Sequence, residues 1–207
     1  MEQMELTGKI LPGILVEVHP FPPFLPEGAK VLILGTFPPA AEKRAMDFYY
    51  PNFQNDMWRI LGLVYFADPD YFRKESEKAF DAGKIRSFLA EAGIALGPTV
   101  LRAQRLQGNA SDKFLHVVEE ASLAEMLRQL PHCRHLITTG EKATEIVLHQ
   151  CTLPPKMPRS GTTVPITLDG RELQLSRLPS TSRAYPMKLE KKAALYKEAL
   201  PPIKKAD

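Results

Sequence analysis

The sequence predicts an α/β fold, a three-layer α/β/α sandwich on a small, mostly parallel central sheet, and three observations predict it. The segments 30–35, 93–96 and 135–140 are short apolar runs without polar alternation, the pattern of strands buried on both faces. Helical periodicity at 55–64 and 123–130 separates these runs and a further helical segment, 141–149, follows the last. Strand and helix therefore alternate, and right-handed crossovers turn that order into a parallel sheet. Asp169-Gly170 stands between the strand-like segments 162–168 and 172–178, a strong two-residue hairpin signal.

Each element has a local reason. Residues 10–26 read as an extended arm, because Pro20, Pro22, Pro23 and Pro26 forbid a helix and bias their preceding residues to extended backbone. Counted as 1–27, the arm is expected to wrap the body. Asn55 offers an N-cap to the helix that follows, and 71–90 is expected to continue as further helix. Residues 98–112 read as a basic loop carrying Arg102 and Arg105, and 188–200 closes the chain as an amphipathic helix. A chain of 207 residues with 44% hydrophobic content can bury the core of one domain, 1–207. The 19 prolines exceed the roughly 5% of average usage, and they cluster at 20–26, 38–39, 154–158 and 201–202, marking loops and ends rather than disorder.

Composition excludes several classes. The net charge of +3 permits a polyanionic partner without demanding one. Cys133 and Cys151 lack zinc spacing and are too few for an iron–sulfur cluster or a disulfide scaffold, so a reducing cytoplasm is expected. The histidines at 19, 116, 132, 135 and 149 show no metal spacing, and His19, in the arm, is assigned to structure. No apolar run approaches the roughly 18 residues of a membrane helix, and residues 1–5 do not resemble a signal peptide. Neither membrane nor metal is expected.

The chemistry sits in three segments. Gly35-Thr36-Phe37-Pro38-Pro39 and Leu178-Pro179-Ser180-Thr181-Ser182-Arg183 each close a strand as a rigid polar loop, the place where open α/β sheets bind ligands. Between them, 48–58 (Phe-Tyr-Tyr-Pro-Asn-Phe-Gln-Asn-Asp-Met-Trp) sets aromatics and amides just ahead of a helix. Stacking faces beside amides suit a flat, hydrogen-bonding ring.

In order and spacing these segments resemble the uracil-DNA glycosylase superfamily, especially its mismatch-specific and hypoxanthine-type branches, over most of residues 19–200. Motif one of that superfamily is a strand followed by a Gly-X-X-Pro loop, which 35–39 matches, and a later aromatic that stacks on the extruded base falls at Tyr50. Motif two is a Pro-Ser loop that enters the DNA, similar to 179–183. Thr139-Gly140 before a helix and Arg105 after the strand at 93 also look similar. The resemblance implies a uracil-DNA glycosylase-like fold and a monomeric, monofunctional enzyme of base-excision repair that needs no cofactor. It would hydrolyse the N-glycosidic bond of a deaminated base, uracil or hypoxanthine, in DNA containing a damaged or mismatched base, and leave an abasic site. Carried over by position, Gly35, Thr36, Phe37, Pro38, Tyr49 and Tyr50 would bind the base, and Pro179, Ser180, Thr181, Ser182, Arg183 and Lys188 the DNA.

Two family features are replaced. The Asp or Asn that positions water, third in motif one, is Phe37, and the motif-two His is Leu178. In the hypoxanthine-type branch, which also lacks the motif-one carboxylate or amide, an Asn after the aromatic pair is implicated. Asn52 matches it, with Asn55 second, so both are candidate catalytic residues. Asn55 equally reads as a helix cap, and Trp58 as core. Lys43, Arg44, Arg183 and Lys188 are phosphate contacts or solvated charges. The replacements also motivate an alternative, a DNA- or nucleotide-binding protein that keeps the fold without catalysis.

Overall fold

A computed structural model describes residues 8–107 and 112–202. In chain order the elements are β1 (Val16–Val18), β2 (Val31–Gly35), α1 (Met57–Phe66), α2 (Ala82–Ala92), β3 (Ile94–Pro98) and β4 (Val100–Arg105). After these come β5 (Leu115–Glu120), α3 (Leu123–Arg128), β6 (His135–Thr138), α4 (Glu141–His149), β7 (Thr162–Leu168), β8 (Arg171–Arg177) and α5 (Leu189–Ala199). The five-stranded main sheet has the order β3-β2-β6-β8-β7, parallel except for the antiparallel edge strand β7.

Alternation along β2 makes the three layers. Val31 and Ile33 face one side and pack into a cluster with Trp58 of α1, Phe88 of α2 and Tyr196 of α5. Leu32 and Leu34 face the other, against Leu127 of α3 and Val147 of α4. A mostly parallel sheet between helices is what the apolar runs required. Asp169 and Gly170 both have positive φ, 50° and 72°, as a two-residue hairpin turn between β7 and β8 demands.

Three expectations need correction. Residues 98–112, expected as a loop, contain β4, the centre of a second, antiparallel sheet of order β1-β4-β5. Its partners are distant in sequence, which is why local reading missed it. Within it, buried Gln104 holds the arm by donating to Leu11 O at 2.9 Å and Ile14 O at 2.6 Å, and by accepting from Leu11 N at 2.8 Å. The arm does wrap the body over its described part, pairing β1 with β4 and Phe24 with Leu96; residues 1–7 lie outside the described residues.

Residues 71–81, expected as helix, form a small hairpin instead. Arg73 pairs with Phe80, Lys74 N donates to Ala79 O at 3.0 Å and Asp81 N to Phe72 O at 2.8 Å, while Phe72 and Phe80 are buried. The Asp81 carboxylate then accepts from Lys84 N at 2.9 Å and starts α2. Finally, α1 starts at Met57 with Asp56 in the N-cap position. Asn55 still serves the helix end, because its side-chain oxygen accepts from Met57 N at 2.9 Å.

Candidate active site

The carboxyl ends of β2, β3 and β6 meet at a cleft of about 680 Å³. Gly35 and Thr36, Gly97 and Pro98, and Thr139 make its floor, and its walls come from the 49–55 segment, the 180–186 segment, the arm and Asp112 with Lys113. The cleft therefore lies where strand order and crossover geometry leave room for a ligand.

Tyr50 is positioned by backbone as much as by side chain. Its φ of 51° is in the left-handed region, which costs a non-glycine residue on the order of 1 kcal/mol and persists only where surroundings enforce it. The indole of Trp58, fully buried, does so by donating to both Tyr49 O and Tyr50 O at 3.2 Å. Gly35 completes the fit, since a β-carbon there would lie 3.1 Å from the Tyr50 hydroxyl. That hydroxyl sits 3.4 Å from Thr139 Oγ1, and burial raises the pKa of Tyr50 well above the usual phenol value, keeping it neutral. Tyr49 also lines the cleft, but its hydroxyl is turned to the arm, donating to Pro22 O at 3.2 Å.

Asn52 and Asn55 share the wall beyond Tyr50. Each side-chain oxygen is occupied by backbone, Asn52 Oδ1 by Gln54 N at 2.8 Å and Asn55 Oδ1 by Met57 N. Each amide Nδ2 therefore remains as a donor. Asn55 is further fixed by backbone pairing with Ser182 on the opposite loop, and Asp56 N donates to Thr181 O at 2.8 Å.

The second loop is anchored from below by α5. Tyr196 donates to Pro179 O at 2.9 Å, and Lys192 Nζ donates to Ser182 O at 2.9 Å and to Asp56 Oδ2 at 3.1 Å. Arg183 Nε holds the other Asp56 oxygen at 3.1 Å, so this cation is committed at one edge while its side chain stays 47% exposed.

The structure thus brings Gly35, Thr36, Phe37, Pro38, Tyr49 and Tyr50 together with Asn52, Asn55 and the residues 180–183 around one cleft. Pro179 is buried beneath the loop, and Lys188 lies exposed at the start of α5, away from the lining. Among the motif-one neighbours, Arg44 is committed to Pro39 O at 2.8 Å. Phe37 packs edge-on against His19 at 5.5 Å and beneath the Arg105 guanidinium at 5.5 Å.

Two lining residues carry chemistry that sequence reading passed over. Asp112 projects from the turn before β5 and accepts from Thr36 Oγ1 at 2.5 Å; no local pattern marks it, because only the β4–β5 pairing returns it to the main sheet. His19, assigned to structure from sequence, also lines the cleft. Its Nδ1 is 2.9 Å from Phe21 O and its ring lies against Phe21, Phe37 and Tyr49. Burial, with a smaller repulsion from Arg44, lowers its pKa from 6.5 to about 4, so the imidazole is neutral at pH 7. A lowered pKa means that the unfolded chain binds the proton first. The stability due to neutral His19 is therefore complete above pH 6.5 and is lost as pH falls toward 4. The loss is about 3 kcal/mol at most, so urea unfolding between pH 7.5 and 4.5 should show a steeper acid decline for wild type than for His19→Asn. Parallel declines would show that His19 is not buried neutral.

Among the described residues, no group of three or more His, Cys, Asp or Glu side chains could hold a metal ion, and no helix is long and apolar enough to cross a membrane. No protein-family model matches the chain, and no curated protein matches it. A solution NMR structure from Methanosarcina acetivorans, provisionally assigned as a uracil DNA glycosylase, is similar at a TM-score of 0.60 and 20% identity, covering 89% of this chain and 99% of that one. Over most of its length the chain has the same α/β/α fold as that structure, with a mostly parallel central sheet.

Proposed function

We propose that the protein is a monofunctional DNA glycosylase that hydrolyses the N-glycosidic bond of a deaminated base, uracil or hypoxanthine, and leaves an abasic site. The observation that carries this reading is the convergence of Tyr50 with the amides of Asn52 and Asn55 at the carboxyl ends of the parallel strands, in a cleft of nucleoside size. The fold shared with a provisionally assigned uracil DNA glycosylase supports it.

The chemistry fits these side chains. Extruding a base from a duplex costs a few kcal/mol, and aromatic stacking recovers roughly 1–3 kcal/mol of it. Tyr50 supplies the ring face, fixed by Trp58 and Gly35. When the glycosidic bond breaks, its electron pair leaves with the base, and donors aimed at that charge lower the barrier. The Nδ2 groups of Asn55 and Asn52 are such donors, with Asn55 the better fixed of the two because both loops hold its backbone. Ser180, Ser182, Arg183 and Lys113 line the same cleft, and their hydroxyls and charges would meet the DNA strand.

The test uses labelled oligonucleotides with a single uracil or a single hypoxanthine, in single-stranded, matched and mismatched form, with alkali to break abasic sites. A cut strand is expected and names the base. Binding without a cut on any substrate would favour a protein that retains the fold and binds DNA without catalysis, the reading that Phe37 motivates by packing into His19 and Arg105.

A further inference from the structure

We propose that Asp112 holds and deprotonates the attacking water, a task for which Phe37 of motif one has no functional group. This inference rests on the glycosylase reading and adds to it a catalytic residue from a different strand pair.

Hydrolysis needs a proton acceptor beside the sugar as well as donors beside the base. Among the described residues lining the cleft, Asp112 is the one carboxylate. Its placement is built rather than incidental. Thr36, the residue directly after the last strand position of β2, donates to Asp112 Oδ1 at 2.5 Å and ties the side chain to the strand end next to Phe37. Oδ2 takes no hydrogen bond from the described residues and is left for a water.

Burial and polar neighbours act on this carboxylate in opposite directions. Burial raises the pKa of Asp112 above the usual carboxylate range, while the Thr36 hydrogen bond and the charges of Lys142 and Arg105 act against that rise. The neutral hydroxyl of Tyr50 is its other titratable neighbour. His19 is the competing acceptor in the cleft. Its low pKa makes it a weak base, and its ring is enclosed by Phe21, Phe37 and Tyr49.

The step balances without a further reagent. A water oxygen bonds to C1′ of the sugar, the C1′–N bond breaks, and its electron pair leaves on the base nitrogen. One water proton passes to Asp112 Oδ2 and from there to solvent. Before transfer, the carboxylate also faces the positive charge that develops on the sugar.

Asp112→Asn preserves the side-chain shape and the oxygen that Thr36 holds, so it removes only the base. Single-turnover cleavage of whichever oligonucleotide the wild type cuts is expected to slow by about 10²–10⁴-fold, with binding to an oligonucleotide carrying a tetrahydrofuran abasic site changed by less than about threefold. The wild-type rate should rise with pH through the Asp112 ionisation, and that limb should vanish in the variant. Stability gives a separate readout. An acid whose pKa is raised by folding lowers stability as pH increases from the unfolded to the folded pKa, so Asp112→Asn should be at least as stable as wild type at pH 8. A variant that cuts within about threefold of wild type, or that slows but keeps the acid limb, overturns this inference alone. A wild type that cuts none of the substrates overturns the glycosylase reading and this inference with it.

Discussion

Lys192→Met is expected to destabilise the protein by about 3–5 kcal/mol, because it strands a buried carboxylate. The Lys192 side chain is 0% exposed and Asp56 only 10%, so neither has water as an alternative partner. Lys192 satisfies Asp56 Oδ2 and Ser182 O together, and Arg183, 47% exposed, is the other cation on Asp56. Methionine fills the space and leaves both acceptors without their donor, the asymmetric case in which breaking a pair costs more than the pair is worth. A Lys192→Met, Asp56→Asn double variant should therefore lose less than Lys192→Met alone. Urea unfolding monitored through Trp58 would measure both, and the single variant should melt on the order of 10 °C lower. A loss below about 1 kcal/mol would show that the cation is not needed to hold the 180–183 loop against α1.

The strands of the main sheet were legible because their signal is local. Residues 30–35 and 135–140 are apolar without alternation, and β2 and β6 are buried on both faces between two clusters. The Asp169-Gly170 turn was legible because positive φ at two successive positions restricts residue choice. The second sheet was not. Residues in β4 such as Arg102 and Gln104 look like loop on their own, and become strand only through β1 and β5, whose partners no window contains. The hairpin at 71–81 failed for a related reason. Phe72 and Phe80 have helical spacing, but cross-chain bonds and the Asp81 cap use the same backbone groups differently.

The cleft divides along the same line. Gly35 was readable because it closes a strand, and Tyr50, Asn52 and Asn55 because aromatics and amides gather just ahead of a helix. Asp112 and His19 reach the cleft through long-range packing, one through the β4–β5 pairing and one through the proline-rich arm, so residue type gave no hint of location. Lys188 follows the loop in sequence but lies outside the cleft lining, exposed where α5 begins.

The second large effect separates the two asparagines. Asn55→Asp is expected to reduce cleavage by about 10²–10³-fold, the usual consequence of losing one preorganised donor to a developing anion. The choice of aspartate matters. It retains an oxygen for Met57 N and places a carboxylate just ahead of the N-terminus of α1, where the helix dipole favours it, so folding should be preserved. It replaces the Nδ2 donor with negative charge facing the departing base. Asn52→Asp makes the same exchange where, among the described residues, the Asn52 side-chain oxygen accepts from Gln54 N two residues on and no bond from Asn52 reaches the 180–183 loop. Its amide is free to move away from the new charge, and the expected loss is about tenfold or less. Single-turnover rates and urea midpoints for both variants decide the assignment. If Asn52→Asp loses the larger factor at unchanged stability, the donor belongs to Asn52, and the pairing of Asn55 with Ser182 serves only to join the two loops.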